Sequence, residues 1–355
     1  MKKRIDLLNV FFIYSVFIAV FTACESTDPE PAPGIEFSSS GVFILNQGSF
    51  GKNNAGISYY DFESGKTSFD IMNGALGDNA QDMLIYGRKL YVTVSGSGYI
   101  LILNLNTREA KQLKLKDDEQ KDRQPRYLTS YEGKIYATTY DGYVVRLDTT
   151  SLQITGIVQV GNNPEGIAAV GGKLYVANSG GMQVPPDSTL SVVDIAGFSE
   201  TKKITVGLNP FIVKADSYGD VYLTYQGNFT DKPGGFQRID TNTDDVFDMD
   251  ASANHSFTID GDLLYFYRTD YGKNTAFGIF DVKTETLTSN PIISDGTKIT
   301  TAYGIGVDPV TKDVYISDTD YSAPGTVTIF GAGGTKKKTL NVGINACQFA
   351  FHRSL

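Results

Sequence analysis

Tryptophan is absent from this chain of 355 residues, and histidine and cysteine occur only twice each. Zinc, haem and cysteine–histidine nucleophile sites are built from histidine and cysteine side chains. Most metalloenzymes are therefore disfavoured, and we predict no metal site and no cofactor. Positive charge is also scarce, because 31 lysines and arginines face 40 aspartates and glutamates, giving a net charge of −9. That balance argues against general binding to nucleic acid or to an acidic membrane surface.

Aromatic residues and glycine are plentiful instead, with 21 tyrosines, 21 phenylalanines and 37 glycines. Aromatic side chains favour pleated strands, and glycine favours tight turns. The chain is 41% hydrophobic and 20% charged, which is typical of a globular protein. Composition thus indicates a turn-rich β protein.

The N-terminus has the form of a secretory signal. A basic start, Met1 to Arg4, precedes an apolar run from about Leu7 to Phe21 and then small residues. The run is too short for a membrane helix. Residues 21–24, Phe-Thr-Ala-Cys, resemble a bacterial lipobox, whose cysteine carries a lipid and becomes the first mature residue. We therefore expect a signal peptide over residues 1–23 and a lipid anchor at Cys24; the alternative is ordinary secretion with an incidental cysteine.

An acidic, proline-rich segment follows, and we predict that residues 24–38 form a stiff tether. An acidic stretch after a lipidated cysteine resembles the surface-export signal of Bacteroidetes-type lipoproteins. It implies an outer-membrane lipoprotein at the cell surface that touches the membrane through its lipid only. With Cys24 acylated, Cys347 is the one remaining thiol, so no intramolecular disulfide is possible.

Residues 39–355 are periodic. A short strand with an aromatic centre recurs seven times, and the centres are 48, 45, 39, 47, 43 and 50 residues apart. That spacing is typical of four-stranded propeller blades. The copies are Val42-Phe43-Ile44, Leu90-Tyr91-Val92, Ile135-Tyr136-Ala137, Leu174-Tyr175-Val176, Val221-Tyr222-Leu223, Leu264-Tyr265-Phe266 and Val314-Tyr315-Ile316. We predict an all-β fold, a seven-bladed β-propeller of four-stranded blades, in which these aromatic residues pack between blades.

Two further elements recur in step with the aromatic strand. A third strand ends in an aspartate that we expect to cap a tight turn, as at Asp61, Asp148 and Asp240. An asparagine-rich turn precedes the aromatic strand, and its last copy begins at Asn345 with no aromatic strand after it. The strand near Gln348 to Phe351 should therefore complete the first blade and close the ring, which removes an exposed sheet edge.

Three segments carry a family resemblance: Val160–Ile167, Gly172–Asn178 and Val192–Asp194. They resemble the YncE-type seven-bladed propeller family across nearly all of the mature chain. Together with the lipoprotein signal, they make the chain similar to the surface propeller lipoproteins of gut Bacteroidetes, which include BtuG-like proteins. Those proteins capture cobalamin and pass it to an outer-membrane transporter. The resemblance implies a corrinoid ligand and a TonB-dependent transporter as partner.

One position in the repeat varies in a way that suggests a site. In a propeller, the loops into the innermost strands and the loops after the aromatic strands open on one face. Two residues after the asparagine-like position stand Gln81, Arg126, Glu165, Phe211, Ser256, Tyr303 and Cys347. A purely structural ring would repeat itself, so we interpret this ring as ligand-contacting; the alternative is solvated filler. The asparagine itself occurs in five of seven copies, which indicates a turn requirement.

Aromatic residues in the neighbouring loops suit a flat, partly apolar ligand, although each one is as well suited to pinning its own loop. The full set of predicted ligand-binding residues is Phe50, Gln81, Arg126, Tyr127, Tyr140, Glu165, Phe211, Gln226, Phe229, His255, Arg268, Tyr271, Tyr303 and Tyr321. Cys347 is expected to be a small buried residue.

The favoured function is non-catalytic capture of a small ligand for delivery to a transporter. A surface-layer or adhesive scaffold would use the same face against another protein. A lactonase-like hydrolase would need Glu165, Asp82, His255 and Arg126 to converge, and no spacing motif supports that. A quinoprotein dehydrogenase is disfavoured, because its propeller docking motif uses tryptophan. We therefore predict no catalytic residues.

Overall fold

The computed structural model describes residues 34–249, 256–268 and 275–353. They form seven four-stranded sheets in which neighbouring strands are antiparallel. This is the seven-bladed β-propeller that the repeat predicts. Within the described ranges, no helix has the length and apolarity needed to cross a membrane.

The strands follow the chain from blade to blade, each blade running outward from the channel. The first three blades contain β1 (Gly41–Asn46), β2 (Gly56–Asp61), β3 (Thr67–Ser68); β4 (Ala80–Tyr86), β5 (Lys89–Val94), β6 (Tyr99–Asn104), β7 (Ala110–Lys114); β8 (Pro125–Tyr131), β9 (Lys134–Thr139), β10 (Tyr143–Asp148) and β11 (Ile154–Gln159). The fourth and fifth contain β12 (Pro164–Val170), β13 (Lys173–Asn178), β14 (Thr189–Asp194), β15 (Ser199–Thr205); β16 (Pro210–Ala215), β17 (Val221–Tyr225), β18 (Gly235–Ile239) and β19 (Val246–Asp248). The last two contain β20 (Ser256–Asp260), β21 (Leu263–Arg268), β22 (Ala276–Asp281), β23 (Thr286–Leu287); β24 (Ala302–Val307), β25 (Val314–Asp318), β26 (Thr326–Phe330) and β27 (Lys336–Asn341).

The final strand, β28 (Ala346–His352), returns to the first blade and becomes its innermost strand. It pairs antiparallel with β1, so that Phe43 lies opposite Ala350 and Ile44 opposite Phe349. The predicted closure of the ring is confirmed. β1 is therefore paired on both sides, with β28 and with β2.

The seven aromatic centres form the middle of the core, as predicted. Each lies in the second strand of its blade and is at most 6% exposed: Phe43, Tyr91, Tyr136, Tyr175, Tyr222, Tyr265 and Tyr315. Tyr222 illustrates the packing, because its ring centroid lies 6.1 Å from that of Phe236 in its own blade and 6.4 Å from that of Phe280 in the next blade. An aromatic ring at this position fills the space between two twisted sheets.

The recurring aspartates cap turns, also as predicted. Asp148 Oδ1 accepts backbone hydrogen bonds from Thr150 at 3.0 Å and Ser151 at 2.6 Å. Asp240 and Asp61 accept the same pair of bonds at their own turns. The pKa of Asp148 lies well below its ordinary value, because Lys134 and these turn N–H groups stabilise the carboxylate.

The compact unit begins at Ile35, inside the segment assigned to the tether. Phe37 is buried at 8% exposure, and its ring packs edge-on against Phe43 with centroids 5.1 Å apart. Arg108 Nη2 donates to the Phe37 carbonyl oxygen at 2.8 Å. The end of the predicted tether therefore belongs to the packed first blade, because Ile35 and Phe37 bring apolar surface that the blade can bury. Cys24 and the signal peptide lie outside the described residues.

Ring closure yields the first testable expectation. A variant lacking residues 346–355 exposes the edge of β1 that pairs with β28 and removes one wall of the channel, so we expect aggregation and loss of a cooperative thermal transition. Size-exclusion chromatography and calorimetry measure both effects. A variant lacking only residues 354–355 retains β28 and is the control. A monomeric 346–355 deletion that melts within about 4 °C of the full chain would contradict the closure argument.

Candidate ligand-binding face

The two groups of loops expected to share one face do so. In six blades, a backbone N–H just after the second strand donates to the carbonyl of the asparagine-like position before the innermost strand. The bonds are Gln47 to Asn345 (3.0 Å), Ser95 to Asn79 (3.0 Å), Tyr140 to Gln124 (2.9 Å), Ser179 to Asn163 (3.3 Å), Gln226 to Asn209 (2.9 Å) and Thr319 to Thr301 (3.1 Å). We call this side of the disc the loop face. His255 and Tyr271, both predicted to lie here, fall outside the described residues.

The recurring asparagine has a backbone cause. Asn79, Asn163, Asn209 and Asn345 have φ values of 52°, 48°, 61° and 56°. Asparagine tolerates this left-handed conformation better than most residues. The turn requirement that the repeat indicates is confirmed at these four positions. The turn brings the chain sharply into the innermost strand, so the variable residue two positions later stands at the channel mouth.

Three variable residues from consecutive blades bond to one another at the mouth. Arg126 Nε and Nη2 donate to Glu165 Oε2 and Oε1, each at 2.8 Å, which is a bidentate ion pair. Arg126 Nη1 donates to Gln81 Oε1 at 3.0 Å. The guanidinium carbon also lies 5.2 Å from the centroid of the Tyr140 ring. The ring positions therefore form a connected structure across blade boundaries.

Two more contacts extend this structure around the mouth. Gln47 Nε2 donates to Gln81 Oε1 at 3.0 Å, and the Tyr303 hydroxyl bonds to Gln47 Oε1. Gln81 Nε2 in turn bonds to the Tyr127 hydroxyl at 3.0 Å. The mouth cluster, as we call it, consists of Gln47, Gln81, Arg126, Tyr127, Glu165 and Tyr303. Sequence reasoning missed Gln47, which directly follows β1 and reaches the cluster only because the closed ring puts the first blade between the second and the seventh.

Burial governs the protonation of the cluster. Glu165 is 4% exposed, and burial raises its pKa while the Arg126 guanidinium opposes the shift. Burial likewise raises the pKa of the Tyr127 and Tyr303 hydroxyls, so both stay protonated. The Tyr303 hydroxyl donates to Gln47, and the Tyr127 hydroxyl accepts from Gln81. The mouth thus presents fixed amide and hydroxyl dipoles around a neutralised ion pair.

The aromatic residues predicted for this face divide into two kinds. Phe50, Phe229 and Tyr321 are 78%, 77% and 57% exposed, and they lie in loops after second strands. Phe211 is half-buried and packs edge-on against Tyr127, with centroids 5.8 Å apart. Tyr140 is also half-buried, beneath the Arg126 guanidinium. The Phe50 and Phe229 rings are thus available to a partner molecule, whereas the half-buried rings hold the cluster in place. Tyr321 does both, because its exposed ring packs edge-on against Tyr303 with centroids 5.7 Å apart.

The remaining predicted residues lie around the rim. Gln226 and Arg268 are half-buried at the ends of their second strands on the loop face. Two apolar side chains that the sequence did not single out, Met182 and Val184, are each 96% exposed in the loop between β13 and β14. The long loop and its Pro185-Pro186 pair were the only sequence signals for them.

Asp82 lies deeper than the cluster and separate from it. Its Oδ2 accepts from the Leu128 N–H at 2.9 Å. Burial raises its pKa to about 6, while Lys214 and backbone N–H groups oppose the shift. Cys347 is half-buried, with Sγ 3.5 Å from the Leu45 carbonyl oxygen, and burial raises its pKa. In the segments that the structure describes, no three or more His, Cys, Asp or Glu side chains are grouped to hold a metal ion.

These observations define a β-propeller with a polar, aromatic-rimmed mouth on its loop face. The chain belongs to the family described as a domain of unknown function, DUF5074, which matches residues 40–345. A search of curated proteins found no match.

Solved structures share the fold at low sequence identity. A protein from Lactobacillus plantarum has a TM-score of 0.63 at 16% identity, with 88% of this chain and 99% of that one covered. The dihydro-heme d1 dehydrogenase NirN has a TM-score of 0.56 at 11% identity, with 90% and 77% covered. Hydrazine synthase of Kuenenia stuttgartiensis has a TM-score of 0.56 at 16% identity, with 70% and 76% covered. At these identities the likeness concerns the propeller fold alone.

The ion pair at the mouth can be tested by a double-mutant cycle. Glu165→Gln leaves a largely buried guanidinium without its carboxylate, so we expect it to lower the free energy of unfolding by about 3 kcal/mol. Arg126→Met combined with Glu165→Gln removes both charges and should recover a large part of that loss. Denaturant unfolding of the wild type, both single variants and the double variant measures the coupling. Additive effects of the two substitutions would show that the pair does not act as a unit.

The raised pKa of Asp82 predicts a pH-dependent difference between variants. An aspartate with a higher pKa in the folded state binds its proton more tightly when the protein is folded than when it is unfolded. As the pH rises from 3.8, the ordinary pKa of aspartate, to about 6, the pKa of Asp82 in the folded protein, ionisation of Asp82 therefore lowers the free energy of unfolding. Asp82→Asn removes this loss. The stability of the variant relative to wild type should therefore rise by about 3 kcal/mol between pH 4 and pH 7.

Urea unfolding across that pH range, with Asp118→Asn on an exposed loop as the control, measures the difference. A relative stability of Asp82→Asn that does not change with pH would show that Asp82 ionises normally.

Proposed function

We propose that this protein is a non-catalytic binding protein of the cell surface, which captures a small ligand on its loop face and delivers it to an outer-membrane transporter. The observation that carries the proposal is the mouth cluster. Its amides, hydroxyls and ion pair are held rigidly by contacts across blades, and exposed aromatic rings surround them. Rigid polar groups beside exposed rings are what a ligand with both flat apolar and polar parts requires.

A corrinoid has such a surface and is our best candidate for the ligand. It presents a flat macrocycle to aromatic rings and carries amide side chains at its edge. Phe50, Phe229 and Tyr321 offer the rings, and Gln47 and Gln81 offer amide partners. The resemblance to BtuG-like lipoproteins points to the same ligand class.

The chemistry of the mouth favours binding over catalysis. Glu165, the carboxylate at the mouth, is engaged by two guanidinium N–H groups and is poorly placed to accept a substrate proton. Asp82 is the other acidic candidate, and it bonds to a backbone N–H deeper in the channel. A lactonase-like hydrolase would need an acid and a base that converge on one open point, and these two carboxylates have separate partners.

Placement at the surface is supported by the N-terminal sequence. A signal over residues 1–23, a lipid on Cys24 and an acidic tether would hold the propeller near an outer-membrane partner such as a TonB-dependent transporter. Phe37, near the end of the predicted tether, packs against Phe43 of the first blade, which joins this segment to the propeller.

A protein-binding scaffold is the second candidate, and one observation favours it. Met182 and Val184 extend from the loop face with 96% of each side chain exposed, and a partner protein would remove that apolar surface from water. Affinity capture from outer membranes separates the two functions. Recovery of a transporter supports delivery, whereas recovery of matrix proteins alone supports adhesion.

Calorimetry with cyanocobalamin and cobinamide tests the corrinoid. Phe229→Ala and Tyr321→Ala each remove an exposed ring from the loop face, so we expect each to weaken binding about tenfold. Tyr218→Ala is the matched control, because Tyr218 is 51% exposed in the turn between β16 and β17, at the opposite face. Absence of heat with both compounds would exclude corrinoids, and an equal loss in the Tyr218 variant would move the site away from the loop face.

A further inference from the structure

The axial channel holds a second polar site below the mouth cluster. A cavity of about 260 Å³ is lined by the innermost strands of six blades, and Asp82 and Lys214 are the charged residues among its described lining. A neighbouring cavity of about 380 Å³ shares both residues, as well as Thr258 and Gln348, so the two spaces are parts of one channel.

Asp82 and Lys214 do not form an ion pair. Within the described part of the chain, Lys214 has neither a hydrogen bond nor an ion-pair partner. The Asp82 carboxylate accepts hydrogen bonds from backbone N–H groups, Leu128 to Oδ2 at 2.9 Å among them, and it has no cationic partner within the described residues. Nevertheless, the positive charge of Lys214 acts on Asp82, because it opposes the rise in pKa that burial causes. The two groups are thus close enough to interact through space and too far apart to touch.

This arrangement differs from that of Arg126 and Arg238, two partly buried cations whose charges are paired. Arg126 is paired with Glu165, and Arg238 is paired with Asp220 at 2.6 Å. An isolated charge in a low-dielectric space is costly, because it loses water without gaining a partner. Two opposite charges held apart across a cavity therefore leave room for a molecule that satisfies both.

We propose that this cavity, the axial site, binds a small zwitterion of the α-amino acid type, with its ammonium group at Asp82 and its carboxylate at Lys214. Hydroxyls of Thr129, Ser256 and Thr258 and the Gln348 amide line the same cavity and offer further hydrogen bonds. The volume of about 260 Å³ around the two charged groups is near the lower end for small-molecule pockets, which suits a ligand the size of an amino acid. The axial site therefore does not depend on the ligand proposed for the loop face.

Single-charge analogues provide the sharpest test. Calorimetry of the purified protein at pH 7.5 would compare the standard α-amino acids with acetate and methylammonium. We expect at least one amino acid to bind at least tenfold more tightly than either analogue, since each analogue satisfies one charge and leaves the other unpaired. This comparison uses the unmodified protein, so it does not depend on the folding of a variant.

Variants then place the site. Asp82→Asn and Lys214→Met should each weaken binding of that amino acid at least tenfold. Asp118→Asn and Lys111→Met remove the same charges from exposed positions in and beside the second blade and should leave affinity unchanged. Thermal unfolding of each variant checks that it is folded. If one of the two channel variants does not fold, the binding measurement on the other one tests the site.

Three results would overturn the proposal: no binding by any of the amino acids, equal binding by acetate or methylammonium, or unchanged affinity in a folded Asp82 or Lys214 variant. Phe229→Ala separates the two sites, because it should weaken a ligand at the loop face and leave the axial site intact.

Discussion

The pairing of β28 with β1 is the constraint on which the rest of the structure depends. It joins the two ends of the chain within one blade, and so converts a row of sheets into a ring with an axis. A channel and a common mouth exist only once that ring is closed. The bond from Tyr303 to Gln47 shows the consequence, because these residues are 256 positions apart in the chain and meet where the last blade reaches the first.

Closure also explains why polar residues are tolerated so near the core. The second strand of each blade carries the large aromatic ring, so the packing energy is concentrated one strand away from the axis. The innermost strands are then free to vary at the mouth. Gln81, Arg126 and Glu165 occupy equivalent positions in consecutive blades, and this equivalence places them side by side at hydrogen-bonding distance. In a repeat fold, residues that differ between repeats can therefore form hydrogen bonds with one another across neighbouring blades.

Periodicity was sufficient to predict the blade number, the closing strand, the interblade tyrosines and the aspartate-capped turns, because each follows from local sequence repeated at a fixed interval. It was not sufficient to predict partners across blades. The Arg126–Glu165 pair depends on side-chain reach between neighbouring sheets, and Gln47 depends on closure. The burial of Phe37 was not predicted, because its acidic, proline-rich surroundings are typical of a tether and its contacts are with Phe43 and Tyr59 of the first blade.

The mouth and the channel use the same chemical groups in opposite ways. At the mouth, Arg126 and Glu165 neutralise each other, so a ligand there meets fixed dipoles and aromatic rings and gains little from carrying charge. In the channel, Asp82 and Lys214 do not form an ion pair, so we expect the strongest binding there from a ligand that carries both a positive and a negative charge. Desolvation enforces this division, since a charge that is already paired has little attraction left to offer. We therefore expect the two levels of the propeller axis to favour different molecules.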